Sequence, residues 1–449
     1  MPNERDLLNE HDLLNSLDDE PRGPSRVDIQ RAIADGRRRR ARRGIAYTGA
    51  AAVTALAVAG AAVATGVLDQ RPTQVAATGT APTAVSTPAQ PQYTIPGTTD
   101  WSVPPSIPPA RCTLDRLPVP DNAPAALVSG ADPTGRYLVG RSYPKAGGYQ
   151  AVIWHDGKAA KVMLPGDLEE SLQDVNSTGT AVGWSYTGNG EADTGPVPYV
   201  YHDGKVSKLP GVRRGSAYAI NNAGAIAGDD NGDAALVWPS ATAQPIRLPL
   251  PAGASRASAN DIDEDGTVVG TMTVSGQSTA SASGVAPTVP YVWFADGTHR
   301  PLPMPTIDGV QAATASVAGV HNGWAIGVAS RDTKTRGAGS PGDADRAAAT
   351  RAVRWNIRNR EVRVFDDLGF GADATNAHGW QVGTDRQGRA VLLTDTAIVV
   401  LPDLADPPPG GLATIPSTLS DDGRTIAGQS DDATGKIQPI VWRCRPASP

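Results

Sequence analysis

Apolar and polar positions alternate along most of this chain in short runs, broken every few residues by Gly, Asn or Asp. That is the pattern of half-buried strands joined by tight turns. The stretch from Ser216 to Pro249 shows the unit. Ala217 to Ile220 lead into a turn through Asn221 and Gly224; Ala225 to Gly228 follow, then Ala235 to Trp238, then Pro245 to Pro249. Each unit thus predicts four strands, and its landmarks recur seven times. An apolar pair ending in glycine stands at Gly140, Gly183, Gly228, Gly270, Gly327, Gly383 and Gly428. A turn glycine precedes each, at Gly135, Gly179, Gly224, Gly266, Gly323, Gly379 and Gly423. The third strand ends on a large side chain at Trp154, Tyr201, Trp238, Trp293, Trp355, Leu393 and Trp442. A leucine, usually before proline, closes the unit at Leu164, Leu209, Leu248, Leu302, Leu368 and Leu401.

The seventh unit stops after Trp442, Arg443 and Cys444 with no fourth strand, while Cys112 to Pro118 carries the fourth-strand pattern before the first unit begins. Repeats of this length signal an array or a propeller. A spare strand at one end and a missing one at the other predict a closed ring: an all-β, seven-bladed β-propeller of four-stranded blades over 111–445. The N-terminal strand then completes the last blade and leaves no open edge at the seam. The chain's two cysteines lie at those two ends. Mapping Trp442 onto Trp154 and Leu117 onto Leu164 sets Cys444 and Cys112 at the two ends of a hairpin turn, under about 7 Å apart and within reach of a disulfide. Residues 446–449 are expected as a disordered C-terminus.

Ahead of the repeats the pattern changes. From Gly44 to Leu68 the chain is uncharged and rich in Ala and Val, long enough at about 1.5 Å per helical residue to cross about 30 Å of hydrocarbon. Six arginines fall between Arg37 and Arg43, and such a cluster stays cytoplasmic beside anionic lipid headgroups. The expectation is a cytoplasmic tail with a basic juxtamembrane helix over 1–43, one transmembrane helix over 44–68, and a Pro/Thr/Ala-rich extracytoplasmic linker over 69–110, a semi-rigid stalk. This makes a single-pass protein of the cell membrane with its propeller outside. An alternative stays open: Arg42, Arg43, Gly44 and Ile45 resemble a twin-arginine export signal with a cleavable apolar core. Net charge is −6, so nothing in the bulk balance points to nucleic acid.

Candidate chemistry is sparse. Asp261, Asp263, Asp265 and Gly266 begin like a calcium loop, in which alternate carboxylates converge on a hard cation, but Met272 and Val269 stand where further ligands are needed. They align with a plain turn of the preceding unit. His155, His202, His299, His321 and His378 have no metal-ligand spacing, and the first two read as turn residues. No cofactor is expected. The third-strand tryptophans read as packing between blades; Trp184, Trp324 and Trp380 fall outside that register and are the candidates for an exposed aromatic contact. Long connections between second and third strands, at Thr273 to Thr288 and Arg331 to Thr350, place two loops on one face of adjacent blades, where binding residues concentrate.

The run Ala219, Ile220, Asn221 before a glycine turn, then Ile226, Ala227, Gly228, then Trp238 and a closing leucine, resembles the bacterial extracellular HAF-type repeat, and the stalk, apolar run and arginine cluster resemble those of actinobacterial cell-surface proteins. The naming positions correspond to Ala151, Val152, Ile153 and to Tyr291, Val292, Trp293. The resemblance covers about three quarters of the chain and departs in the sixth unit, where Leu393 replaces the aromatic. It implies a fold and an outside location, and carries no catalytic residues. The resulting expectation is a binding or scaffold module for a cell-envelope polymer or protein partner. A single-pass sensor and a propeller-type glycan hydrolase or lyase with paired carboxylates at the funnel are the alternatives.

Overall fold

The computed structural model describes residues 93–446 except 146, 167–168, 187–194, 232, 275–286, 332–349 and 406–413. The tail, the apolar run 44–68, the arginine cluster and linker residues 69–92 lie outside the described residues. So do 447–449 and most of the two long loops. Among the described residues no helix is long and apolar enough to cross a membrane.

Seven four-stranded antiparallel sheets follow one another along the chain. Blades 1 to 6 span 125–162, 170–208, 216–247, 254–301, 314–365 and 368–400. The first strands of successive blades touch one another around the centre, so each blade runs outward from first strand to fourth. Blade 7 takes its three inner strands from 414–446 and its outermost from Pro109–Arg116, which pairs antiparallel with Ile437–Pro446. The ring closes as the sequence predicts. Its register differs by two residues from the mapping: Leu114, not Cys112, faces Trp442, and the ladder continues to Pro446, so Cys112 and Cys444 are direct cross-strand partners. Their sulfurs are bonded. The hairpin mapping fails because this pair has no turn and its strands run past the point where other blades reverse.

Why each second strand carries a glycine becomes clear from the pairing. Every first strand has an irregularity at the same place, skipping Ser129, Gln173, Tyr218, Asn260, Ala318, Asp373 and Ser417. A bulge bends its strand and raises the local twist, and here it drives a first-strand carbonyl onto the second strand. A Cβ on Gly270 would collide with the carbonyl oxygen of Ser258, and one on Gly428 with that of Ile415. The glycine is required for close backbone approach.

The third-strand tryptophans hold the seams. Trp154, Trp238, Trp293, Trp355 and Trp442 are fully buried, and each indole N–H donates to a carbonyl just past the preceding blade: Pro118, Pro210, Pro249, Pro303 and Pro402, at 2.7–2.8 Å. The Leu-Pro ending and the tryptophan are therefore two halves of one contact. Blades 2 and 6, which carry Tyr201 and Leu393 instead, fill the equivalent acceptor otherwise: Ser185 Oγ reaches Pro165 O and Arg386 Nε reaches Asp366 O. Leu368 does not close a blade. Phe365 pairs with Ala352 at the end of blade 5, and Leu368 opens the first strand of blade 6.

Candidate functional site

Antiparallel blades put the turns between first and second strands on one face of the ring and the connections between second and third strands, with those between blades, on the other. On the first face the turn residues form a circuit around the centre. Ser177 Oγ donates to Asp132 Oδ2, Asn176 Nδ2 to Asn221 O, and Asn221 Nδ2 to Asp263 O, all at 3.1–3.2 Å. Asp263 accepts the Asn322 and Gly323 amides at 2.8 and 2.7 Å. Asn322 Nδ2 donates to Ala377 O, Asn376 Nδ2 to Ser420 O, and the Asp421 amide to Pro133 O in blade 1. The Asn or Asp of each turn thus also links its blade to the next.

Deeper carboxylates act in the same way. Asp174 accepts the Ile220 amide at 2.9 Å and Asp261 the Val320 amide at 2.7 Å, each from the next blade. Burial pushes both acids up, Asp261 to about 7 and Asp174 well above its ordinary range, where the neighbouring Asp261 adds to the effect. Asp261, Asp263 and Asp265 do not converge on one point; Asp265 accepts the Thr267 amide in its own turn. Each carboxylate serves a different set of N–H groups, which explains the spacing without a cation.

His321 has no metal-ligand spacing in the sequence, and its place in the structure is distinct. Its Nε2 lies 2.6 Å from Asp421 Oδ1 of blade 7, beyond the neighbouring blade 6, and its Nδ1 lies 4.0 Å from Asp263 Oδ1. Burial disfavours its charge, yet Asp421, Asp263 and Glu264 outweigh that and raise the imidazole to about 9. His155 stacks on Tyr137, His202 bonds Thr180, and His299 bonds Tyr291. No spacing in the sequence brings His321 to Asp421, since the approach depends on how blades 5, 6 and 7 curve around the centre.

Residues 93–108, the end of the stretch expected as a linker, cross this face without regular secondary structure. Ile95 is buried between blades 3 and 4, and its amide reaches Ala295 O. Asn221 Nδ2 donates to Pro96 O and Thr98 Oγ1 to Glu264 Oε2. Trp101 meets His321 edge-on at 5.5 Å, His378 Nε2 donates to Pro104 O, and Ser106 Oγ reaches Asp422 O. The segment is a strap from blade 4 to blade 7 that runs directly into the closing strand. The compositional signal of its prolines hid the residues that dock it, Ile95, Thr98 and Trp101.

The expected exposed aromatics are corrected. Trp184 and Trp380 are 2% and 4% exposed, the latter against the turn glycine Gly423. Trp324 is half-buried, with the Arg354 guanidinium 4.6 Å from its ring and Gly379 against it. Their side chains come off second strands or turns and enter the spaces between blades, which the third-strand register alone could not reveal.

No family model matches the chain, and no curated protein does. Solved structures similar to it include an oligogalacturonate lyase in complex with manganese (9% identity, 75% of this chain and 97% of that one, TM-score 0.42). YCF48 bound to a D1 peptide is another (11% identity, 76% and 98%, TM-score 0.40). TolB from Acinetobacter baumannii is a third (14% identity, 69% and 67%, TM-score 0.35). No ligand or reaction is carried over from them, and the propeller rests on the strand pairing itself.

Proposed function

We propose that this chain is a surface-displayed binding or scaffold module whose propeller holds a cell-envelope polymer or protein partner. In this reading 44–68 anchors it to the membrane as a single pass, Arg37 to Arg43 rest on anionic headgroups at the cytoplasmic side, and the units are of the HAF-type repeat. The observation that carries it is the strap. Residues 93–108 approach and cover the face of the first-to-second-strand turns, which supports an attachment on that side. The connections at Val274, Thr288, Ser330 and Thr350 depart from the opposite face, which in this reading is the one turned to the surroundings. The carboxylates Asp174, Asp261, Asp263 and Asp421, which a glycan-cleaving reading would recruit, are held by amides of adjacent blades.

The test is retention of cell-wall material and envelope proteins by the purified full chain. Deleting 275–286 and 332–349 together is expected to abolish retention while leaving the thermal transition in place. Undiminished retention by that variant would reject the loop face as the binding surface. Protease shaving of intact cells, with and without residues 44–68, checks display and anchoring separately.

A further inference from the structure

Several arginines of this protein end on an acceptor. Arg247, Arg351 and Arg389 meet the carboxylates of Asp230, Asp366 and Asp385, and Arg300 and Arg354 donate to the carbonyls of Ile357 and Gly379. Arg141, on the second strand of blade 1, is held differently. Its Nε donates to Tyr143 Oη at 3.1 Å. Its guanidinium lies 4.6 Å from the Tyr149 ring centroid and 5.5 Å from that of Tyr143, and the two rings meet edge-on at 5.1 Å. Among the described residues, neither the outer Nη groups of Arg141 nor the hydroxyl proton of Tyr143 has an acceptor.

The three side chains stand on one side of the blade. Val139, Ala151 and Ile153 pack with Leu172 and Val197 of blade 2, and positions two residues apart along a strand share a face. Arg141, Tyr143 and Tyr149 therefore gather at the seam with blade 2, and all three are partly exposed. Tyr143 and Tyr149 flank the connection from second to third strand, which sets the cluster on the loop face. Charge there is one-sided. From Tyr137 to His155 the chain carries Arg141 and Lys145 and no Asp or Glu, in a protein of net charge −6. Lys145 is exposed on the connection and has no ion pair with a described residue. Glu170 of blade 2 enters the same seam, but it accepts the Ala151 and Leu164 amides at 3.0 and 3.1 Å, and burial raises it to about 7. That lowers the negative charge it sets against the site near neutral pH.

We propose that Arg141, Tyr143 and Tyr149 form an anion subsite for an acidic glycan, whose carboxylate or phosphodiester group sits on the free guanidinium edge and the Tyr143 hydroxyl. A guanidinium already fixed against two rings loses little freedom on binding, and its planar edge matches two oxygens of such a group. The tyrosines offer the sugar an apolar ring and a polar tip, and Lys145 adds attraction. The main chain here does not suit a peptide strand: Ser142 pairs with Ala126 on one side and Gln150 on the other, so no sheet edge is open for addition. The inference rests on the loop face being the binding face and adds the chemistry held there.

The test titrates the full chain with a uronic-acid oligosaccharide, its carboxyl-reduced neutral counterpart, a phosphodiester-linked sugar oligomer and oligoglutamate, followed by calorimetry. An acidic sugar probe is expected to bind and the neutral one not to, and whether the uronic-acid or the phosphodiester probe binds tells which group the site takes. Arg141→Gln should weaken the acidic probe about tenfold or more. Arg141→Lys, which keeps the charge without the planar fork, should restore only part of the loss. Lys145→Glu, on the exposed connection, should weaken the probe with an unchanged melting temperature. Binding of neither acidic sugar, equal binding of the neutral one, or undiminished binding by Arg141→Gln would overturn the proposal. Tighter binding of oligoglutamate would overturn it in favour of a protein partner. Deleting 275–286 and 332–349 should leave the probe's affinity intact, because the subsite is on blade 1, so failure of the loops and failure of the subsite read out separately.

Discussion

Blades 6 and 7 are neighbours built to the same plan of bulge and turn glycine, and they differ at the seam donor, the outer edge and the clasp. Blade 7 has the buried tryptophan bonded to Pro402, a basic outer strand, and a disulfide across its two outermost strands. Blade 6 has Leu393 in place of the tryptophan, an Arg386 side chain as substitute donor to the seam before it, and an uncharged, exposed edge. The contrast separates two kinds of residue in a repeat. Those that join a blade to its predecessor can be replaced only when another donor reaches the same carbonyl. A charged outer edge is absent at Ile398–Val400, and the blade still pairs all four of its strands.

The largest expected effect tests the seam of blade 7. Trp442→Ala removes a fully buried indole and leaves the Pro402 carbonyl without its donor, and it should cost about 3–5 kcal/mol, read by denaturant unfolding. The same reading on Arg386→Ala in blade 6 should be much smaller, because an exposed side chain leaves its acceptor to water. An equal loss would erase the distinction drawn between the blades. Next comes the clasp: replacing Cys112 and Cys444 together by Ala is expected to lower stability by about 2–5 kcal/mol. Reducing agent should reproduce that loss in the wild type and leave the double variant unaffected. Below that, Gly428→Ala forces a methyl group against the Ile415 carbonyl and should cost about 1–3 kcal/mol. At the bottom of the scale, Ile398→Lys on the exposed rim should stay within about 0.5 kcal/mol of the wild type.

Acidity sharpens the contrast between interior and rim. Burial raises Asp261 and Glu170 to about 7 and Asp229 to about 6. Between the ordinary carboxylate range and those values the unfolded chain releases protons that the folded one keeps, so folding stability should fall as pH rises from about 4 to 7. His321, raised to about 9, adds stability that is complete below its ordinary value near 6.5 and lost as pH climbs through about 9. Melting temperature against pH should therefore descend in two steps. Asp261→Asn, which can still accept the Val320 amide, should flatten the acid step, and His321→Gln should remove the alkaline one.

Much of this was legible in the chain. The second-strand glycines, the turn glycines, the tryptophans and the Leu-Pro endings could be aligned by eye, because every unit meets the same local demands of bulge, turn and seam. Even ring closure could be read, from one fourth strand missing at Trp442 and another waiting at Leu114. The two-residue slip at the cysteines could not, since register there depends on how far an unturned pair of strands continues. Trp184 and Trp380 were misplaced for a related reason: strand periodicity says which residues share a face, but in a propeller both faces of most blades are buried against neighbours.

The amino-acid order alone thus determined the number of blades, their strand plan and the pairing of the two cysteines, all properties of local pattern repeated along a line. What it left to the tertiary structure was everything that depends on distance across the ring. The Asn and Asp circuit, the meeting of His321 with Asp421, and the strap over them bring together residues separated by whole blades. Closing the ring sets those separations, and no interval counted along the chain can express them.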